Sequence, residues 1–389
     1  MKNFNEIDGV VDVDPRQAAS FLRAIFSPTD YVAVTAGRNN TMSRGFRTIT
    51  QVVTCSELVQ QLESGIEGAN FLYSLCAEPE PFNVYFHIAS VNLRADDPRH
   101  RVKEGDVAKV KALYVDLDVK PGCFASKDEA WQFLGSVPVR PSAVVSSGSG
   151  GLHAYWRIGR SGLPAQAGKD LLVHWWAYLS ELAGERHIDK LVDVTRMSRL
   201  PGTIRWPKPG EDARPAPVEL IYLNPQSEVT NAQILSLTKE PMERLSQRRI
   251  KTREKDESLR KKVEVSLTSS STGKKSWKEL FSLGTMEEWV NLHLPWESIL
   301  VPAGWTHYGA DGEGRQLWSR PGERTKSAAV DWPESPYVMS LLSTSPETKL
   351  FDLLDADIAL TKWRVMLRLN FADDYNAAVQ WVLQQMERT

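Results

Sequence analysis

The chain reads as a mixed α/β or α+β protein, and three observations carry that reading. Helix and strand patterns alternate from the start to about residue 228. From Leu237 to Lys278 large apolar residues thin out and Arg, Lys, Glu and Ser crowd in. Hydrophobic density then returns at Trp277 and stays high to the end. These shifts predict a first domain over 1–228, a charged, Ser-rich linker over 229–278 and a small C-terminal domain over 279–389.

Asp14 before Pro15 is a helix start, an N-cap followed by a residue whose φ is already helical. Ala18, Phe21, Leu22 and Ile25 then recur at helical spacing. Tyr31 to Val34 reads as a strand, Glu57 to Leu62 as a helix and Asn83 to Ile88 as a strand. Lys111 to Val119 is the clearest strand. Asp128 to Leu134 reads as helix, Ala143 to Ser147 and Leu152 to Ile158 as extended, Leu171 to Leu182 as an apolar helix and Val218 to Leu223 as a last strand. The basic run Arg248, Arg249, Lys251, Arg253 and Lys255, followed by Ser269 to Gly273, predicts a helical or disordered linker that buries little. The C-terminal domain closes on a helix from Ala377 to Met386.

With 389 residues the chain can hold two or three domains. Its 42% apolar and 25% charged content is ordinary, and a formal charge of −2 gives no blanket attraction to nucleic acid. Three cysteines, Cys55, Cys76 and Cys123, lie too far apart for a paired-cysteine zinc module and fit a reducing compartment. Charge among the first residues and the lack of a long apolar run predict a cytoplasmic protein with no membrane partner.

Chemistry concentrates in three places. Asp116 and Asp118 alternate on the strand Tyr114-Val115-Asp116-Leu117-Asp118, so both point to the face that Val115 and Leu117 do not use. Paired carboxylates repel unless a cation such as Mg²⁺ or Mn²⁺ lies between them, or unless the face is simply solvated. His153 follows the loop Ser147-Gly148-Ser149-Gly150-Gly151 and shares a strand face with Tyr155 and Arg157. Glycines there let backbone N–H groups approach a phosphate, while a plain hairpin is the alternative. Asp193 precedes Arg196, Arg199, the Pro201-Gly202-Thr203 turn, Arg205 and Lys208. Those cations either make surface ion pairs or match phosphate oxygens. Asp189 competes with Asp193 as the third acid. Asp193 is preferred because Val192 and Val194 flank it in a strand-like alternation.

Taken in order, residues from about 80 to 210 resemble the primase-polymerase branch of the archaeo-eukaryotic primase superfamily, above all its phage and plasmid members. Asp116-Leu117-Asp118 matches the paired-acid motif. Gly151-Leu152-His153, behind Ser147-Gly148, stands at the histidine motif. Asp193 with Arg196, Arg199 and Leu200-Pro201-Gly202-Thr203 matches the third motif and its trailing block. Gly151 stands where many relatives carry serine, and Arg205 where asparagine is frequent.

The resemblance implies a mostly antiparallel, RNA-recognition-like sheet with a packed α/β unit. It implies that Asp116, Asp118 and Asp193 hold two Mg²⁺ or Mn²⁺ ions and that His153 contacts the incoming nucleotide. The glycine-loop argument adds Ser147 and Gly148 to the nucleotide contacts, and the charge argument adds Arg196, Arg199 and Lys208. The implied activity is template-directed synthesis of primers or DNA strands from nucleoside triphosphates on single-stranded DNA, in a bacterial or phage-infected cell. A replication initiator that binds DNA without synthesis, and a metal-dependent nuclease, are the alternatives. Thr272-Gly273-Lys274-Lys275-Ser276 lacks the first glycine of a phosphate loop, so a helicase is expected as a separate chain. Trp296, Trp305, Trp318 and Trp332 are expected to fill the small domain's core rather than to stack bases. The acidic stretch Asp352 to Asp357 is expected to be a solvated face or a partner surface.

Overall fold

The computed structural model describes residues 13–39, 46–64, 82–92, 102–159, 161–207, 213–268, 283–342 and 348–386. Lys208, Cys76 and the stretch 269–282 lie outside them. The chain divides into two compact units, Met1–Met242 and Glu243–Thr389.

In the first unit, α1 (Pro15–Ile25) starts where Asp14 Oδ1 accepts the backbone N–H of Arg16. Its buried stripe includes Ala18, Phe21, Leu22 and Ile25. A hairpin follows, β1 (Tyr31–Asn39) and β2 (Phe46–Thr54), then α2 (Cys55–Glu63), which Thr54 and Glu57 cap reciprocally. β3 (Asn83–His87) adds to β1, while β4 (Ala89–Val91) and β5 (Val107–Val110) form their own ladder. β6 (Ala112–Leu117), α3 (Lys127–Ser136), β7 (Ala143–Ser146), β8 (Leu152–Arg157) and α4 (Ala165–Ala183) come next. β9 (Met197–Arg199), β10 (Thr203–Arg205) and β11 (Ala216–Leu223) complete the unit.

Two sheets result, in the orders β2-β1-β3-β9 and β10-β11-β7-β8-β6, and every ladder described within them is antiparallel. The fold is therefore α+β with antiparallel sheets. β8 is buried on both faces. On one, Tyr155 meets Phe21 of α1 and Phe86 of β3, with ring centroids 5.1 and 5.8 Å away. On the other, Trp156 meets Trp175 of α4 at 4.8 Å. Such rings prefer these edge and tilted contacts.

The run at 237–278 contains helix rather than disorder in its described part: α5 spans Asn231–Thr268. The division into units falls one residue past Pro241, which lacks the N–H for a helical hydrogen bond. No helix among the described residues is long and apolar enough to cross a membrane.

The second unit adds α6 (Leu283–His293), α7 (Trp296–Leu300), the four-stranded sheet β12 (Thr306–Ala310), β13 (Gln316–Ser319), β14 (Ala328–Val330) and β15 (Ser340–Leu341), then α8 (Phe351–Asp355), α9 (Lys362–Phe371) and α10 (Tyr375–Met386). Trp296, Trp305 and Trp318 are buried in its core, as expected, while Trp332 is half-buried beneath Arg315 at 4.1 Å. The acidic stretch has an internal partner. Arg249 forks onto both oxygens of Asp355 (2.9 and 3.2 Å), Arg253 Nε donates to Ala356 O (2.6 Å), and Arg364 forks back onto Asp256 (3.1 and 3.3 Å). The basic face of α5 and the acidic end of α8 thus hold one another within this unit.

Because Arg249 and Asp355 are largely shielded from water, Arg249→Ala should destabilise the second unit by about 1–2 kcal/mol in urea unfolding of the full chain. Asp355→Ala should cost about as much, and the double substitution less than the sum. Fully additive losses would show that the fork contributes nothing.

Candidate active site

The register of β6 against β8 places Asp116 directly opposite His153, and Tyr114 opposite Tyr155. His153 Nε2 lies 3.5 Å from Asp116 Oδ1, and His153 Nδ1 lies 3.4 Å from the Tyr155 hydroxyl. This face is covered, not solvated: Tyr155 is fully buried, and Asp116 keeps 24% of its side chain open only where a cavity of about 150 Å³ begins. Tyr85, Tyr114, Asp116, His153, Arg196 and Arg199 line that cavity. Burial drives both members of the pair toward their neutral forms. The Asp116 carboxyl is raised by burial, against the pull of His153 and with a further push from Asp118. His153 is lowered by burial, with Asp116 opposing and Arg199 and Arg196 reinforcing.

Strand β6 ends at Leu117, so Asp118 stands just past the ladder rather than on it. Its Oδ2 accepts a hydrogen bond from Lys120 Nζ at 2.7 Å. Burial works to lower Lys120, but Asp118 and then Asp189 hold it above its usual value. The third acid is where the sequence and the structure part. Residues 190–193 form no strand. Asp193 is exposed, its Oδ1 accepts from the backbone N–H and hydroxyl of Thr195 (2.8 and 2.7 Å), and it lines a neighbouring cavity. Asp189 is the acid whose field reaches Asp116 and Lys120. Its carboxyl is lowered by the hydrogen bond from His187, 2.9 Å away. Among the described residues no three His, Cys, Asp or Glu side chains are already gathered as a metal cluster.

The loop between β7 and β8 is a hairpin connection, and its polar groups fold inward. Ser147 Oγ bonds Ser149 Oγ (2.9 Å) and donates to Gly151 O (3.1 Å). Gly148 has φ +71°, and a Cβ there would meet Arg205 Cβ at 2.8 Å and Pro217 O at 3.0 Å. Ser147 and Gly148 therefore brace the loop and do not line the cavity. Arg199 ties itself to this loop, Nη1 donating to Ser147 O (3.1 Å) and Ser149 Oγ (3.3 Å). Its Nε is buried with no hydrogen-bond partner among the described residues. At Gly151 a Cβ would meet Leu117 O at 2.7 Å, so the serine common at that position elsewhere would press on the end of β6. The Pro201–Gly202 turn is locked as well: Gly202 N donates to Val218 O (2.7 Å), and Asp14 N donates to Gly202 O (2.8 Å).

The neighbouring cavity, about 360 Å³, shares Arg196 and Met197 with the first and adds Thr35, Thr48, Thr50, His87, Asp193 and Thr195. His87 is buried, pushed down to about 4 by burial against a hydrogen bond to Thr195 O. The sequence alone gives no site role to His87, Tyr85, Tyr114 or Lys120. Tyr114 is marked only by sharing a face with Asp116. Its hydroxyl, on a residue that lines the smaller cavity, donates to the backbone O of Asp193, which lines the larger one, at 3.2 Å. His87 and Tyr85 gave no motif signal.

The donor set suits a hard divalent cation. Asp116 is a half-buried carboxyl whose basic neighbour, His153, is held toward its neutral form, Asp118 and Asp189 stand in its field with further oxygen donors, and no cysteine lines the cavity among the described residues.

No family model matches the chain, and no curated protein matches it. Among solved structures it is similar to the AEP domain of the cyanophage S-2L primase-polymerase, at 16% identity and a TM-score of 0.40 over 58% of this chain and 98% of that one. It is also similar to primase RepB′, at 13% identity and a TM-score of 0.39 over 73% of this chain and 83% of that one. The catalytic domain of RepB′ in complex with initiator DNA gives 16% identity and a TM-score of 0.35, covering 61% of this chain and 97% of that one.

Gly151→Ser should weaken any ligand held by Asp116 and Asp118 several-fold while leaving most of the fold intact, measured by calorimetry and circular dichroism; unchanged affinity would show that the end of β6 yields freely. His87 sets a pH dependence. Its proton affinity is lower folded than unfolded, so its contribution is fully present above about pH 6.5 and is lost as pH falls to about 4. The loss is about 3 kcal/mol at most. His87→Gln should flatten unfolding stability across that window, and an unaltered slope would refute the assignment.

Proposed function

We propose that the chain is a DNA primase-polymerase, a nucleotidyltransferase that joins nucleoside triphosphates on a single-stranded DNA template in phage or plasmid replication. One observation carries the reading: Asp116 and His153 face each other across adjacent strands at a covered cavity, beside Asp118 and two arginines. An acid pair on a solvated strand face would have needed no such enclosure. In this reading the five-stranded sheet is the RNA-recognition-like core, and α1, α2 and the first sheet form the packed α/β unit.

Asp116 and Asp118 supply the first two carboxylates for Mg²⁺ or Mn²⁺. Asp193 is the third by motif position, and Asp189 is the third by its field on Asp116. Two such ions, when bound, would activate a 3′-hydroxyl toward the α-phosphate and neutralise the departing pyrophosphate. The protein's own share is binding and orientation. His153, kept neutral by burial and fixed between Asp116 and Tyr155, presents an imidazole edge to the phosphates. Arg196 and Arg199 match phosphate oxygens, and Arg199 is held ready by its bond to Ser147 O. Lys208, outside the described residues, would add a further cation, and Ser147 and Gly148 set the loop's shape. No protein nucleophile is required, since phosphoryl transfer rests on positioning and charge. A replicative helicase would be a separate partner chain.

Purified protein with Mn²⁺ or Mg²⁺, nucleotides and single-stranded DNA should make new strands. Asp116→Ala or Asp118→Ala should reduce synthesis at least a hundredfold without loss of fold, and retained synthesis in both would remove the proposal. Asp189→Asn and Asp193→Asn, compared for Mn²⁺ affinity, decide the third ligand. Degradation of labelled DNA with metal but no nucleotide would point to a nuclease instead, and salt-dependent binding without synthesis to an initiator.

A further inference from the structure

The larger cavity has a hydrogen-bond polarity that can be read atom by atom. Thr195 O is a carbonyl and can only accept, so His87 Nδ1, 3.0 Å away, carries the proton. The buried imidazole is neutral, so its Nε2 can only accept, and Thr35 Oγ1, 3.3 Å away, must donate to it. That uses the one Thr35 proton, so Thr50 Oγ1, 2.9 Å away, must donate to Thr35. Thr50 is left with lone pairs alone to offer. The same logic holds on the opposite wall. Asp193 Oδ1 is a carboxylate oxygen, so the Thr195 hydroxyl spends its proton there, 2.7 Å away. Thr50, Thr195 and Asp193 therefore line the cavity as acceptors, and Arg196 is the one cation among its described lining residues.

Apart from Arg196 and the Thr48 hydroxyl, such a lining offers lone pairs and asks for hydroxyl donors. The smaller cavity has the opposite character, with Arg196, Arg199 and His153 around it. Because Arg196 belongs to both, one ligand with an anionic end and a polyol end would span them. Resting on the primase-polymerase reading, we infer that the larger cavity holds the sugar of the incoming nucleotide and prefers ribose to 2′-deoxyribose. A ribose presents an additional hydroxyl proton to these acceptors.

Calorimetric binding of ATP, 2′-dATP and tripolyphosphate to the full chain in Ca²⁺ tests this. ATP should bind about three- to tenfold more tightly than 2′-dATP. Thr50→Val keeps the side chain's shape and should shrink that ratio toward one without changing tripolyphosphate affinity. Thr195→Val, on the other wall, should also shrink the ratio toward one and provides an independent variant if the first misfolds. Equal binding of ATP and 2′-dATP by the natural chain, or an unchanged ratio in both variants, overturns the ribose site and leaves the phosphate site standing. Failure of all three ligands to bind removes the site and the functional reading together.

Discussion

The structure of the candidate site depends on the pairing of β6 with β8. That ladder sets Asp116 against His153, and the side-chain period of two then puts Tyr114 against Tyr155 on the same face. A slip of one residue would send the acid to the side occupied by Trp156 and Trp175 and leave the site without its charge. What prevents the slip is that neither face is free. Tyr155 is gripped by Phe21 and Phe86 while Trp156 is gripped by Trp175. Packing of aromatic rings thus fixes the position of a carboxylate that no packing rule would otherwise place.

Much of this was legible in the chain itself. The helix at Pro15, the strand ending near Asp118 and the alternation of His153 with Tyr155 follow from local rules of capping and periodicity. The covering of that second strand face was not legible. It takes a separate sheet, whose strands β1, β3 and β9 come from distant parts of the chain, to bury it. Asp193 illustrates the limit. Flanking valines at Val192 and Val194 suggest a strand, but the segment instead turns so that Thr195 can satisfy the carboxylate. Local hydrogen bonding by Asp and Thr competes with extended structure, and a pattern of alternation does not register that competition.

The charged middle of the chain holds a related lesson. Composition alone makes residues 237–278 look unable to bury anything. Arg249 and Arg253 nevertheless find Asp355 and Ala356 more than a hundred positions later. A basic run and an acidic run read separately as solvated surfaces become one element when each supplies the other's counter-charge.

Gly202 carries a consequence for how far this protein can vary. A Cβ on that residue would fall 2.0 Å from the backbone oxygen of Asp14, at the mouth of α1. The loop joining β9 to β10 therefore rests on the first helix like a shim of zero thickness. Arg199, three positions earlier, reaches the β7–β8 hairpin from that seat. Natural drift can exchange many surfaces of this molecule, but the spacing between Arg199 and the histidine-bearing sheet is set by bare main chain, which mutation of a side chain cannot retune.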